Sequence, residues 1–288
     1  MMKALHTLLV LLSASLLASA SAEEMPKFGW LAVDLPPFAI TSGPQAHTGY
    51  VDQIIALLQT KFTGYQHSIT YGNSSRIEQE MKRGRNTCTV SMLRTPAREQ
   101  YMVFSKPFLR IMPNGIITLS SQIDRLAGGR DNTAPLALAD LIADKHLTLG
   151  LVQGRVYGAR LDHAIQSAMQ QDSSHIQVLS GSNVGEGLYR LLQRKTIDYM
   201  IGYPEEEQYF FKRYINPQAT AYLAISENSA LVDHSFGCSK TAWGRQRVEQ
   251  MDHLLESKAL RQQLQDLYLT HLGPEAGKLY RDWLERGQ

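Results

Sequence analysis

Chemistry-bearing motifs are scarce in this chain. It has two cysteines in 288 residues, Cys88 and Cys238, and no Cys-x-x-Cys, so a redox motif is excluded. There is no Gly-x-Ser-x-Gly elbow, no His-Glu-x-x-His and no phosphate-cradling Walker loop, which leaves no local signature of a hydrolase, a zinc protease or a nucleotide-binding enzyme. The nine histidines are scattered without ligand spacing, so no metal site and no cofactor are expected. An excess of one charge is also missing. With 29 Lys+Arg against 27 Asp+Glu, the net of +2 excludes a polyanion-binding surface and argues against nucleic acid or a polybasic membrane contact. Only one long apolar run occurs, Leu8 to Ala18, and it is short for a membrane span.

That run belongs to a secretion pattern. "MMKALHTLLVLLSASLLASASA" places Lys3 ahead of the apolar stretch and closes on Ala20-Ser21-Ala22, a small-x-small cleavage site before Glu23. Residues 1–22 are therefore expected to be a removed signal peptide, with an uncleaved anchor as the alternative, and the mature chain to be periplasmic. Removing 22 residues from 288 leaves 266, long for one core and comfortable for two medium domains. In an oxidising compartment an even cysteine count suggests one disulfide; two buried thiols are the alternative.

Downstream, short apolar runs alternate with amphipathic ones. "FGWLAV" reads as a strand stopped by "DLPPF", and "YVDQIIALLQTKF" as a helix with Ile54, Ile55, Leu58 and Phe62 on one face. "HSITYG" is a strand, "SSRIEQEMKRG" a helix capped by Ser74 or Ser75, and "TCTVSML" (Thr87–Leu93) a strand. From Pro113 the pattern restarts: "GIITLSS", "LTLGLV", "IQVLS" and "IDYMIGY" read as strands, with helices between them and "PEEEQYFFKRY" opening on Pro204. "HSFGCSK" is a late strand, followed by helical pieces at 242–256, 257–269 and 274–285. Two rounds of β-α-β-α-β predict an α/β chain with two open, mostly parallel sheets covered by helices on both faces. Ligands sit beyond the carboxyl ends of such strands.

Four stretches in order carry a resemblance: "WLAVDLPPF", "GYVDQIIALL", "TPAREQYMVFSKPF" and "LLQRKTIDYMIGYP". Together they resemble the type II periplasmic solute-binding proteins, in particular the solute-binding protein family 3 group that includes polar amino-acid receptors, and within it a subgroup without an assigned ligand. The resemblance implies a two-lobe fold crossed twice by the chain, with lobe 1 at 23–111 plus 232–288 and lobe 2 at 112–231. It places Cys88 and Cys238 in one lobe on adjacent segments, which favours the disulfide. It also implies a monomer with a small-molecule ligand and a membrane permease or sensor as partner.

The residues that carry ligand chemistry follow. Thr95 can cap a turn with Pro96 in its first position, which puts Arg98 just beyond the end of the third strand, where Ser91 and Leu93 also lie. A guanidinium donates two parallel hydrogen bonds to a carboxylate, the role that the matching arginine has in amino-acid receptors. The alternative is an arginine held only by nearby backbone or by Glu99. The rest of the amino-acid signature is altered: Leu93 stands where a hydroxyl residue is usual, and Tyr203 where an acid pairs the ligand ammonium. A standard α-amino acid then needs Asp34, Glu205 or Glu206 to substitute for that acid; an acidic ligand with an apolar or aromatic body fits as well. "VQGRVYG" joins a strand to a helix, so Gly154 can let a ligand approach while the amides of Arg155, Val156 and Tyr157 point out of the helix start. Trp30, with Phe38 and Tyr50, is a candidate aromatic wall on lobe 1, faced by Tyr157 and Tyr203; core packing is the competing use of Phe38 and Tyr50. Asp52 is expected to cap the first helix. The expected function is capture of a small, carboxylate-bearing solute by hinge closure for an ABC-type importer, without enzymatic activity; the alternatives are a sensor module that signals to a membrane protein and, after it, an enzyme on the same scaffold.

Overall fold

The structure is a computed structural model that describes residues 24–131, 134–181, 183–213 and 218–287; the signal-peptide segment lies outside the described residues. The strands are β1 (Lys27–Val33), β2 (Gln66–Gly72), β3 (Thr87–Thr89), β4 (Met102–Ile111), β5 (Gly115–Leu119), β6 (Leu149–Val152), β7 (Ile176–Leu179), β8 (Tyr199–Gly202), β9 (Thr220–Leu223) and β10 (Val232–Ser239). The helices are α1 (Tyr50–Gln59), α2 (Ser74–Lys82), α3 (Ile123–Ala127), α4 (Leu138–Ala143), α5 (Ala159–Gln171), α6 (Val184–Gln193), α7 (Pro204–Arg213), α8 (Ala242–Leu254), α9 (Lys258–Leu269) and α10 (Pro274–Glu285).

Two five-stranded sheets result, in the orders β2-β1-β3-β10-β4 and β7-β6-β8-β5-β9. In each, four strands point one way and the fourth in order, β10 or β5, runs against its two neighbours. That odd strand is the one by which the chain arrives from the other sheet. These are the two mostly parallel sheets expected from the α/β alternation, in the two-lobe arrangement that the family resemblance implies. The chain leaves the first sheet after Ile111 and returns at Val232, and these two residues are register partners, so both crossings lie side by side. The crossings are also tied to each other, since Asn228 Nδ2 donates to the Asn114 carbonyl at 3.2 Å.

Local chemistry explains the element ends. Asp52 is buried and accepts from the Gly49 and Ile40 amides and the Tyr71 hydroxyl, so it caps α1 as expected and ties it to β2. Gly49 is required there, because a Cβ at that position would stand 2.3 Å from the Phe38 carbonyl oxygen. Asn73, rather than Ser74 or Ser75, caps α2 through the Arg76 amide. The third strand is shorter than the sequence pattern predicts. After Thr89 the Ser91 hydroxyl takes the Val33 amide, so a side chain replaces the backbone ladder and the chain bends away. Cys88 and Cys238 are register partners on β3 and β10 and form a disulfide.

Candidate functional site

A narrow cavity of about 110 Å³ lies between the lobes. From lobe 1 it is lined by Val33, Leu35, Phe38, Tyr50, Val51, Ser74, Ser91, Leu93, Arg98, Ile111 and His234, and from lobe 2 by Arg155, Val156 and Tyr203. Phe38 and Tyr203 meet across it edge to face at 5.4 Å, so the two lobes touch over the cavity.

Arg98 reaches this cavity. Thr95 caps its turn: the Arg98 amide donates to Thr95 Oγ1 and the Glu99 amide to the Thr95 carbonyl. The guanidinium is not held by Glu99, which pairs with Arg94 instead. Its Nε and Nη2 donate to Glu78 Oε1 of α2 at 3.2 and 3.1 Å, and Nη1 donates to the Leu93 carbonyl at 2.8 Å. Three of its five N–H groups are used in these bonds, and the Tyr101 side chain is a further hydrogen-bond partner. The guanidinium lines the cavity wall, where its remaining donor capacity and its charge suit a carboxylate.

Arg155 is arranged differently. Both terminal nitrogens donate to Glu206, at 2.7 and 2.6 Å, and Nη2 also reaches Asn114 Oδ1. Its guanidinium lies over the Tyr157 and Tyr203 rings. Burial acts to discharge it, but the Glu206 carboxylate more than offsets that and raises its pKa. Glu206 in turn accepts the Tyr203 amide, closing the start of α7, where the sequence places Pro204 first and a glutamate third.

Other predicted site residues lie elsewhere. Trp30 is fully buried in the lobe 1 core, stacked on Phe28 at 4.5 Å, with Nε1 donating to His67 Nδ1; strand alternation turns it toward the helices and away from the cleft. Asp34 is exposed and accepts from the Thr41 hydroxyl outside the cavity. Gly154 does not line it either: its φ of +72° serves the turn after β6. Tyr157 is buried behind Arg155, and its hydroxyl accepts the Val152 amide. The amides of Tyr157 and Gly158 donate to Asp162 of α5, so an internal carboxylate occupies the place expected for a ligand anion. Glu205 is enclosed, with Oε2 accepting from the Tyr268 hydroxyl, and burial pushes its carboxyl up to about 8.

Sequence reasoning missed Glu78 and His234. His234 is 5% exposed at the cavity wall on β10. The available signal for it was its place in the late strand beside Phe236 and Cys238, in a run from His234 to Ser239 that is buried throughout.

Comparison with known proteins supports the fold. No protein-family model and no curated protein matches the sequence. Among solved structures, the probable amino-acid ABC transporter extracellular-binding protein ytmK from Bacillus subtilis is similar at 14% identity, covering 88% of this chain and 100% of that one with a TM-score of 0.63. An ancestral amino acid-binding protein, described as a precursor of cyclohexadienyl dehydratase, is similar at 13% identity over 83% of this chain and 93% of its own, with a TM-score of 0.60. The periplasmic VFT2 domain of BvgS from Bordetella pertussis is similar at 15% identity over 83% and 92%, with a TM-score of 0.55. The fold is that of the type II periplasmic binding proteins.

Proposed function

We propose that the chain is a periplasmic solute-binding protein that takes a small carboxylate-bearing ligand between two lobes, 23–111 plus 232–288 and 112–231, and delivers it to an ABC-type importer. The observation that carries this reading is the Arg98 guanidinium in the wall of a cavity lined by both lobes. Contacts from both lobes favour the shut state, and the adjacent crossings are the hinge. Binding without turnover is supported by the placement of the acids: Glu206 is consumed by Arg155, Glu205 is walled in by Tyr268, and Asp34 lies outside the cavity. The likeness to BvgS favours a second reading, a sensor module that reports to a membrane protein in trans. Neighbouring permease and ATPase genes would select import; a neighbouring membrane kinase or cyclase would select sensing.

Arg98→Ala is expected to weaken binding of a carboxylic acid identified by thermal-shift screening at least about a hundredfold, because truncating a desolvated charge pair costs roughly 2–5 kcal/mol. Calorimetry checks this, and unchanged affinity removes Arg98 from the site.

A further inference from the structure

Among the described residues, His234 is the cavity-lining residue that has buried side-chain polar atoms without a completed hydrogen bond. Ser91 is bonded to Val33 and Thr89, Arg155 to Glu206 and Asn114, and Arg98 to Glu78 and Leu93. Both ring nitrogens of His234 are buried, and neither completes a hydrogen bond. A buried, unpaired polar group is costly, so a native protein that keeps one has a use for it. Burial pushes the imidazole down to about 4, and the Val90 carbonyl opposes that shift. The ring is therefore neutral at physiological pH, with the carbonyl favouring a proton on the nitrogen that faces it. A neutral imidazole has one donor and one acceptor, so the other nitrogen is an acceptor.

The charges around the cavity narrow what can meet that acceptor. Among the described residues, no carboxylate lines it. Glu78 and Glu206 are bound to the two arginines, Asp52 holds three donors behind the wall, and Glu205 carries a proton at neutral pH. An ammonium shut in here would have no counter-charge and would face the positive ends of two arginines. An uncharged O–H donor meets no such penalty.

Resting on the carboxylate reading of Arg98, we propose that His234 is a specificity-determining residue that accepts a hydrogen bond from a ligand hydroxyl, so that the cleft selects hydroxy acids over the corresponding amino acids. The apolar walls of Leu35, Phe38, Tyr50, Ile111 and Tyr203 then hold the carbon skeleton.

The test titrates the purified protein calorimetrically with matched acids that differ in one substituent: lactate, alanine and propionate, then phenyllactate, phenylalanine and phenylpropionate. The hydroxy acid of at least one set is expected to bind at least about tenfold more tightly than its amino and unsubstituted counterparts, a difference that one hydrogen bond supplies. His234→Phe should remove that preference while leaving the unsubstituted acid within about threefold, and His234→Gln, which keeps an acceptor, should retain it. Equal binding of hydroxy and unsubstituted acids, tighter binding of the amino acid, or a preference that survives in H234F overturns the inference. If H234F does not fold, the comparison on the native protein and on H234Q decides. Binding that depends on Arg98 without a hydroxyl preference overturns this inference alone. Failure of every acid to bind overturns the carboxylate reading with it.

Discussion

Each lobe sets an arginine just past the end of a strand and locks it with a glutamate of the same lobe, yet the two pairs do different things. In lobe 1, Arg98 and Glu78 keep 12% and 32% of their side-chain surface exposed, and the guanidinium lines the cavity. In lobe 2, Arg155 and Glu206 keep 9% and 0%, and the guanidinium is stacked against two tyrosines. The second pair joins the start of α7 to Asn114 at the first crossing, so it builds the hinge side of lobe 2. The same residue types give a cavity-lining pair in one lobe and a buried rivet in the other. Burial of the pair and the stacking of Arg155 on two tyrosines make the difference.

The largest effect that separates the lobes comes from the disulfide, which among the described residues lies in lobe 1 alone. It closes a loop of 150 residues that contains all of lobe 2, and replacing both cysteines by alanine is expected to lower stability by roughly 5 kcal/mol in urea titrations. Glu206→Ala comes next. It leaves Arg155 buried without its partner and should cost about 3–5 kcal/mol by the same measurement, with the loss concentrated in lobe 2 amide protection. A loss below about 1 kcal/mol would show that the pair is not the rivet described here.

The pH dependence of stability gives an intermediate effect rooted in lobe 1. The folded pKa of His234, about 4, lies below its ordinary 6.5, so the unfolded chain binds more protons between those values. Its contribution is therefore complete above about pH 6.5 and is lost as pH falls through about 4, amounting to about 3 kcal/mol. Urea midpoints between pH 4 and 7 should rise with pH in the native protein and rise less steeply in H234Q. Glu205 tilts the opposite way: its folded pKa of about 8 exceeds the ordinary 4.5, so its contribution is full below 4.5 and is lost as pH rises through 8. Glu78→Ala is the smallest change, about 1 kcal/mol, because water screens the more open pair. A cost equal to that of Glu206→Ala would erase the contrast between the lobes.

Much of the fold was legible. The alternation of short apolar and longer amphipathic segments predicted two α/β lobes, and Pro204 and Asp52 marked helix starts where they occur. The site was less so. Arg98, Ser91, Leu93, Arg155, Val156 and Tyr203 line the cavity, but Trp30, Asp34, Gly154 and Tyr157 do not. A strand tells which residues share a face, not which face the helices cover, and that misplaced Trp30. A glycine turn before a helix advertises free amides, but Asp162, already on the helix, takes them.

Local sequence alone determined the elements, their order and the reach of Arg98, because periodicity, caps and turn residues act within a few positions of the chain. Tertiary structure decided which charges are buried against the protein itself and which line the cavity. Glu78 and Arg98 are 20 residues apart, Arg155 and Glu206 51, and both nitrogens of His234 are left unpaired only by what surrounds them. Pairing at such separations depends on where the sheets put their strand ends, and no local pattern encodes it.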